Sequence, residues 1–220
     1  NYWLHNGFIN VNNEKMSKSA GNFFTVRDIV KQFDYEVIRF FMLSAHYRSP
    51  INFSADLLEQ AKNGLERLYN CLENLKYQSK NAAQSGAESE AETELKNSMH
   101  NFKQKFIDAM DDDINTADAI SVIFEMVKEI NSKIIGSNEI SRETIDYCYG
   151  LLKELGGVLG ILQNEKQDKL DSEIEELINI RQQARKEKNW KLADEIRDKL
   201  KGMGIILEDT PQGVKWSYKK

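Results

Sequence analysis

Apolar residues recur at helical spacing along most of this chain, and the points where that spacing starts and stops mark out its elements. Thr25 and Asp28 stand as a capping-box pair around Val26, Ile29, Val30 and Phe33, one face of a short helix. The segment from Tyr35 to about His46 is apolar nearly all round at Ile38, Phe40, Phe41, Met42 and Leu43, which predicts a helix in the middle of a helical packing. After "YRSPINFS", read as a turn, Ser54 caps a long amphipathic helix through about Tyr77, with Leu58, Ala61, Leu65, Leu68, Leu72 and Leu75 on one stripe.

There the period stops. Residues 78–93 are small, polar and acidic and bury too little to order themselves, so a flexible linker is expected. Three more helices follow. Leu95, Met99, Phe102, Phe106 and Met110 line the first, and Ile120, Ile123, Phe124, Val127, Ile130 and Ile134 the second. The third opens at Ser141 or Arg142 and runs to about Leu162 through "ELGGVLGIL", whose glycines suggest close helix approach. Ser172 and Glu175 read as another capping box, opening a helix to about Lys188, and a further helix spans Trp190 to about Lys201.

Strand signals lie at the two ends. Phe8, Ile9 and Val11 ahead of Asn12-Asn13 predict a β-hairpin within residues 1–24, because Asn tolerates the left-handed backbone of a tight turn. The stretch "GMGIILEDTPQGVKWSYKK" predicts a second hairpin turning near Thr210-Pro211-Gln212-Gly213. The expected fold is mainly α: a hairpin and short helices in residues 1–50, a helical bundle in 51–165, and a small α/β module in 171–220.

Composition limits what such a fold can do. With 30 Lys and Arg against 35 Asp and Glu, the surface is densely and mixedly charged. No apolar run approaches the roughly 20 residues of a membrane span, so no membrane partner is expected. The start, NYWLHNGF, has no initiator Met, basic n-region or cleavage site, and reads as an excised piece of a cytoplasmic protein. Cys71 and Cys148 each sit within a helical apolar series and lack any zinc-ligand spacing, so they are expected to be buried core thiols and no metal site is expected. Charge is uneven: from Arg181 to Lys220 there are 11 basic and 6 acidic residues, a net +5 in a chain of net −5. That end is suited to meeting an anion.

Three clusters carry candidate chemistry. "NNEKMSKSAGN" places Lys15 and Lys18 around Ser17 and Ser19 and follows them with Gly21, a flexible cationic loop of the kind that stabilises charge developing on a phosphate; two lysines in a loop are also the usual form of a solvated turn. Asp111, Asp112 and Asp113 offer carboxylates to a hard cation, but they precede Asn115 and Thr116, where a helix begins, and helix capping is the preferred reading. In the helix from Trp190, the core face is read as Leu192, Ala193, Ile196 and Leu200, while Trp190, Asp194 and Arg197 fall on another stripe. An aromatic, a carboxylate and a guanidinium on one face can read unpaired bases. A Trp covering the helix start beside an i,i+3 ion pair is the alternative, and spacing does not choose between them.

The blocks "WLHNGFINVNNEKMSKSAGNFFTVRDI", "RFFMLSAHYRSPINFSADLLEQAKNGLERLYN", "MDDDINTADAISVIFEMVKEIN" and "ADEIRDKLKGMGIILEDTPQGVKW" together resemble the cysteinyl-tRNA synthetases, a class I aminoacyl-tRNA synthetase family, from the second ATP signature onward. The resemblance implies stem-contact and DALR-like helices followed by an anticodon-binding module. It implies that Lys18 contacts ATP, that Lys15 assists, and that Ser17, Ser19 and Gly21 shape the loop. Arg185, Trp190, Asp194, Arg197 and Asp209 fall at positions associated with reading the anticodon. The Asp111–Asp113 block is placed in the helical bundle beside the tRNA stem.

The implied partners are the cysteine tRNA, ATP and, in the whole enzyme, cysteine. ATP with magnesium and a zinc ion belong to the parent enzyme; the zinc ligands and the family's His-Ile-Gly-His signature are not found around His5, His46 or His100. Ala20 also replaces the leucine usual after the pentapeptide. The chain is therefore expected to be a carboxy-terminal piece of a cysteine–tRNA ligase, inactive by itself and requiring no cofactor. The alternatives are a free-standing helical RNA-binding or interaction protein derived from a synthetase, or the related cysteine ligase of thiol biosynthesis, against which the terminal module argues.

Overall fold

The computed structural model describes residues 3–19, 21–82, 88–134, 140–163, 165–210 and 213–218, the side chains of 165–173, 208–210, 213, 215, 217 and 218 excepted. The chain divides into two compact units, Asn1–Leu162 and Gln163–Lys220. Residues on both sides of position 50 share one core, so the first unit runs without interruption from the lysine loop to the end of the bundle.

The first unit starts with β1 (Ile9–Val11) and β2 (Glu14–Lys15), antiparallel with Asn10 opposite Lys15. Asn12 and Asn13 both take left-handed backbone, φ 51° and 66°, as a two-residue turn matching strand twist requires. The short α1 (Val26–Ile29) follows, and Thr25 donates through both its N–H and Oγ1 to the Asp28 carboxylate, holding that carboxyl down at about 2. Asp34 caps α2 (Tyr35–Leu43), which buries Val37, Phe40 and Phe41. The stretch read as a turn contains β3 (Ile51–Phe53), which pairs parallel with β1 in the order β2-β1-β3. Three residues whose partner lies some forty positions away leave no periodicity to detect, and Pro50 before them resembles a turn.

Next, α3 (Ala55–Asn81) buries Leu58, Ala61, Leu65, Leu68, Leu72 and Leu75 as its stripe predicts. The linker expectation for 78–93 is corrected at both ends: α3 continues to Asn81 and α4 spans Glu90–Asp111, leaving 83–87 outside the described residues. At the α4 end the cause is Glu92, only 4% exposed in a segment whose composition looks solvated; at the α3 end the buried Ser79 donates to Asp146. Glu92 Oε2 accepts from Ser89 N–H at 2.9 Å, and its Oε1 accepts from Ser141 N–H at 2.8 Å and Thr144 Oγ1 at 3.0 Å. One carboxylate thereby caps α4 and also the start of α6 (Arg142–Val158), on the far side of α5 (Thr116–Ile134) in sequence. These hydrogen bonds, led by those with Ser141 and Ser89, hold the Glu92 carboxyl down at about 2.

Two further expectations change in detail. Helix α6 stops before Leu162 because Gly160, at φ 68°, sends the chain back so that Ile161 N–H donates to Gly156 C=O at 2.9 Å. A Cβ on Gly156 would lie 2.8 Å from Leu162 Cδ1, so that glycine admits the chain's own return and not a neighbouring helix. The aspartate run does not cap α5. Asn115 does, accepting from Asp118 N–H at 3.2 Å, while Asp113 turns to Tyr47 and Arg48.

In the second unit, α7 (Glu165–Lys186) and α8 (Trp190–Gly202) pack with β4 (Ile205–Thr210) and β5 (Gly213–Tyr218). Ser172 lies inside α7 and does not open it; the preceding Glu, Lys and Gln residues are good helix formers and the helix continues back through them. The strands pair antiparallel, with Thr210 opposite Gly213. Ile174, Ile178, Ile196, Leu200 and Ile205 form the core.

Candidate functional site

The lysine loop is held by one side chain. Asn22 Oδ1 accepts the Ser17 N–H at 2.8 Å while its Nδ2 donates to the Lys15 C=O at 3.2 Å, so a single amide at the end of the loop ties it back to two backbone groups at its start. Gly21, at φ 70°, donates its N–H to Lys18 C=O, and the Ser17 and Ser19 hydroxyls lie 3.2 Å apart. The two lysines are exposed, and among the described residues neither is in a salt bridge; Lys18 Nζ rests 5.5 Å from the centre of the Phe23 ring. The structure therefore brings Lys15, Ser17, Lys18, Ser19 and Gly21 into one loop with two cations clear of carboxylates.

Sequence reasoning treated Asn22 as part of a match and not as an organiser. The available signal was an amide, able to donate and accept at once, at the loop's closing end. A second long-range support is Asn52, whose Oδ1 accepts from Asn13 N–H at 2.7 Å and fixes the hairpin turn to β3.

On α8 the predicted stripe is present. Ala193, Ile196 and Leu200 are buried, whereas Leu192 is 37% exposed and does not belong to the core face as expected. It occupies the first turn, where the helix overhangs its core. Trp190 is 59% exposed, directly after the cap Asn189, whose Oδ1 accepts from Leu192 N–H. Arg197 Nη1 pairs with Asp194 at 3.1 Å and its Nε lies 3.6 Å from Asp198. Arg185 is exposed near the end of α7. Asp209 lies in β4, opposite Val214, and its side chain is outside the described residues. The two halves of the sequence alternative thus coexist: the ion pair forms, and Trp190 leaves its ring in solvent.

Among the described residues no group of three or more His, Cys, Asp or Glu side chains is gathered as a metal site, and the Cys71 and Cys148 thiols are buried, with burial pushing both up to about 12. A protonated thiol in a helix core does not fit zinc. Among the described residues no helix is long and apolar enough to cross a membrane.

Comparison with known proteins places all of these features in one context. Residues 1–63 match the tRNA synthetases class I (C) catalytic domain, residues 105–163 the DALR domain, and residues 167–216 the cysteinyl-tRNA ligase anticodon binding domain. The cysteine–tRNA ligase of Clostridioides difficile is 57% identical over 215 residues, covering 98% of this chain and 46% of that relative. The chain thus spans less than half the length of the curated relative it matches. Among solved structures, the LeuRS of Agrobacterium radiobacter, in a ternary complex with tRNA and LeuAMS, matches with a TM-score of 0.56 at 20% identity, over 72% of this chain and 22% of that one. That likeness is one of fold. The order of the three matched segments, ending in the anticodon binding domain, favours the synthetase over the thiol-biosynthesis ligase.

Proposed function

The chain belongs to the cysteine–tRNA ligase family, and we propose that it supplies two parts of that activity: the loop that stabilises ATP during adenylate formation, and the surface that recognises the cysteine tRNA. In the first step a cysteine carboxylate oxygen attacks the α-phosphorus of ATP, the bond to the β-phosphate breaks, and pyrophosphate leaves. Negative charge builds on the phosphate oxygens as this happens. Lys18, assisted by Lys15, is placed to stabilise it, since exposed ammonium groups without a carboxylate partner gain most from an arriving anion. Ser17, Ser19 and Gly21 shape the loop, and Asn22 holds it closed. The second step transfers cysteine from the adenylate to the tRNA and needs the tRNA positioned. Arg185, Trp190, Asp194, Arg197 and Asp209 carry that role at the anticodon, with Trp190 offering a ring for stacking and the paired Arg197 a fixed edge for hydrogen bonding.

The observation that carries this reading is the lysine loop, closed by Asn22 and presenting two cations with no carboxylate against them among the described residues. Its setting is cytoplasmic. The 220-residue chain holds no His-Ile-Gly-His signature, so cysteine-dependent ATP–pyrophosphate exchange by this chain is expected at background. Its tRNA binding is the direct test. The chain should retain cysteine tRNA on a filter in preference to transcripts with altered anticodons, and equal retention of all transcripts would overturn the recognition half of the proposal.

A further inference from the structure

The aspartate run left one residue that neither helix capping nor metal binding accounts for. Asp113 and Ile114, between α4 and α5, both take left-handed backbone, at φ 58° and 55°. A β-branched residue is strongly disfavoured there, so the surroundings must fix the turn. They do so from outside the bundle. Asp113 Oδ1 accepts from Tyr47 Oη at 2.8 Å and from Arg48 Nη2 at 3.0 Å, and Oδ2 lies 3.0 Å from Arg48 Nη2 and 3.6 Å from His46 Nε2.

The three partners are consecutive and brace one another. Arg48 Nε donates to Tyr47 Oη at 3.0 Å, Arg48 N–H donates to His46 Nδ1 at 3.3 Å, and the His46 ring stacks on Tyr47 with centres 4.9 Å apart. Since Nδ1 accepts, the imidazole proton sits on Nε2, facing the carboxylate. Next to this clamp, Thr116 Oγ1 donates to Leu43 C=O at 2.8 Å. The start of α5 and the loop after α2 are therefore tied at two points.

The far side of the clamp leads to the lysine loop. Tyr47 C=O accepts from Gly7 N–H at 2.6 Å, and a Cβ on Gly7 would collide with Ser49 O, so the segment leading to β1 is seated directly on Tyr47 and the residues just after the clamp. Beyond Pro50, β3 pairs with β1, and Asn52 holds Asn13 at the hairpin turn that precedes Lys15. A single exposed ion pair contributes little. Here one carboxylate gathers a phenol, a guanidinium and an imidazole whose backbone in turn positions the hairpin.

We infer that Asp113 is a positioning residue for the lysine loop, acting from the helical bundle through Tyr47 and Arg48 on β1 and β3. This deepens the proposed function and rests on reading that loop as the ATP loop. The turn itself needs no side chain at position 113, only a residue at ease with positive φ. Asp113→Gly therefore removes the clamp without straining the turn.

The primary test is amide hydrogen exchange on the 220-residue chain. Asp113→Gly should speed exchange at Gly7 and Asn13 by about tenfold or more while Leu65, Leu68 and Leu72 in α3 stay protected. Unchanged exchange at Gly7 and Asn13 overturns the inference. If Asp113→Gly exposes α3 as well, Arg48→Ala, which opens the same contact from the other side, is read by the same amides and decides. In the longer ligase containing this sequence, Asp113→Gly should raise the KM for ATP by at least about threefold, which a mere loss of folded enzyme would not do. No exchange activity in the unsubstituted ligase would overturn the proposed function while the amide measurement still judges the clamp. An active ligase with unchanged KM and unchanged amides would overturn the clamp alone.

Discussion

Cations are displayed in opposite ways by the two units. In the first, Lys15 and Lys18 stand on a loop with no carboxylate against them among the described residues, and the loop is shaped by the Asn22 amide while Asn52 pins the hairpin turn before it. In the second, Arg197 is a regular helix residue already neutralised by Asp194 and flanked by Asp198. Unpaired ammonium groups attract any anion and are stabilised most by one that gains charge during reaction. A paired guanidinium offers little net attraction but presents its donors in a fixed direction. One arrangement suits charge stabilisation and the other discrimination by shape and hydrogen bonding.

The sharpest way to break this contrast is to remove the charge of the loop. In the longer ligase that contains this sequence, Lys18→Ala should slow cysteine activation by about 10²–10³-fold, about 3–4 kcal/mol of transition-state stabilisation, with cysteine affinity much less affected. Pre-steady-state adenylate formation measures it. A change confined to cysteine binding would show that the loop shapes a pocket and stabilises no charge.

The contrast also assumes that each surface has its own framework, which Glu92 tests. Glu92→Ala strips the cap from α4 and leaves the Ser141 N–H and Thr144 hydroxyl without their acceptor, so the first unit should lose about 3 kcal/mol of stability in urea unfolding. The same carboxylate gives a pH signature. Its folded value, about 2, lies below the ordinary value of 4.5, so its contribution is present in full above about pH 4.5 and is lost as pH falls toward 2. In Glu92→Ala that acid-dependent loss should shrink, while tRNA retention by the second unit at neutral pH stays unchanged. Equal damage to tRNA retention would mean that the two surfaces share a framework.

How legible each surface was follows from the range of its contacts. The mainly α class, the Thr25–Asp28 and Ser54 caps, the Asn12-Asn13 turn and the terminal hairpin all depend on neighbours within a few positions, and they stand as read. Strand β3, the Asn22 brace, the Glu92 cap and the Asp113 clamp were not legible. Glu92 sits in an acidic, low-complexity stretch and meets partners some fifty residues on; Asp113 meets its partners some sixty-five residues back. Local composition described the first as a solvated carboxylate of a linker and the second as part of a helix cap. Even on α8, where the 3.6-residue period located Ala193, Ile196 and Leu200, it misplaced Leu192, because a helix end extends past the surface it packs on.

For the second unit the discriminating change is Trp190→Ala. An exposed ring contributes little to the fold, so stability should hardly move, while affinity for the cysteine tRNA should fall by about 1–3 kcal/mol if a base stacks on it. Filter binding at several salt concentrations separates the two kinds of contact. Loss of stacking lowers affinity without altering the dependence on salt, whereas removing Lys215 should weaken binding to all tRNAs and flatten that dependence. Lost stability with unchanged affinity would return Trp190 to a packing role.

The smallest expected effect is the most diagnostic of how Arg197 is used. Its pair with Asp194 lies at i,i+3 with both side chains more than half exposed, at 56% and 61%, so the interaction energy from a double-mutant cycle of Asp194→Ala and Arg197→Ala should be below about 0.5 kcal/mol in unfolding. In tRNA binding the same cycle should show coupling well above that, because Asp194 fixes the guanidinium in the orientation a base edge would meet, and removing it leaves the donors free to rotate. The preference for the cysteine anticodon should fall with either single change. Coupling in binding no larger than in folding would mean that Arg197 meets the tRNA as a simple charge, and the contrast with the lysine loop would then be one of position and not of kind.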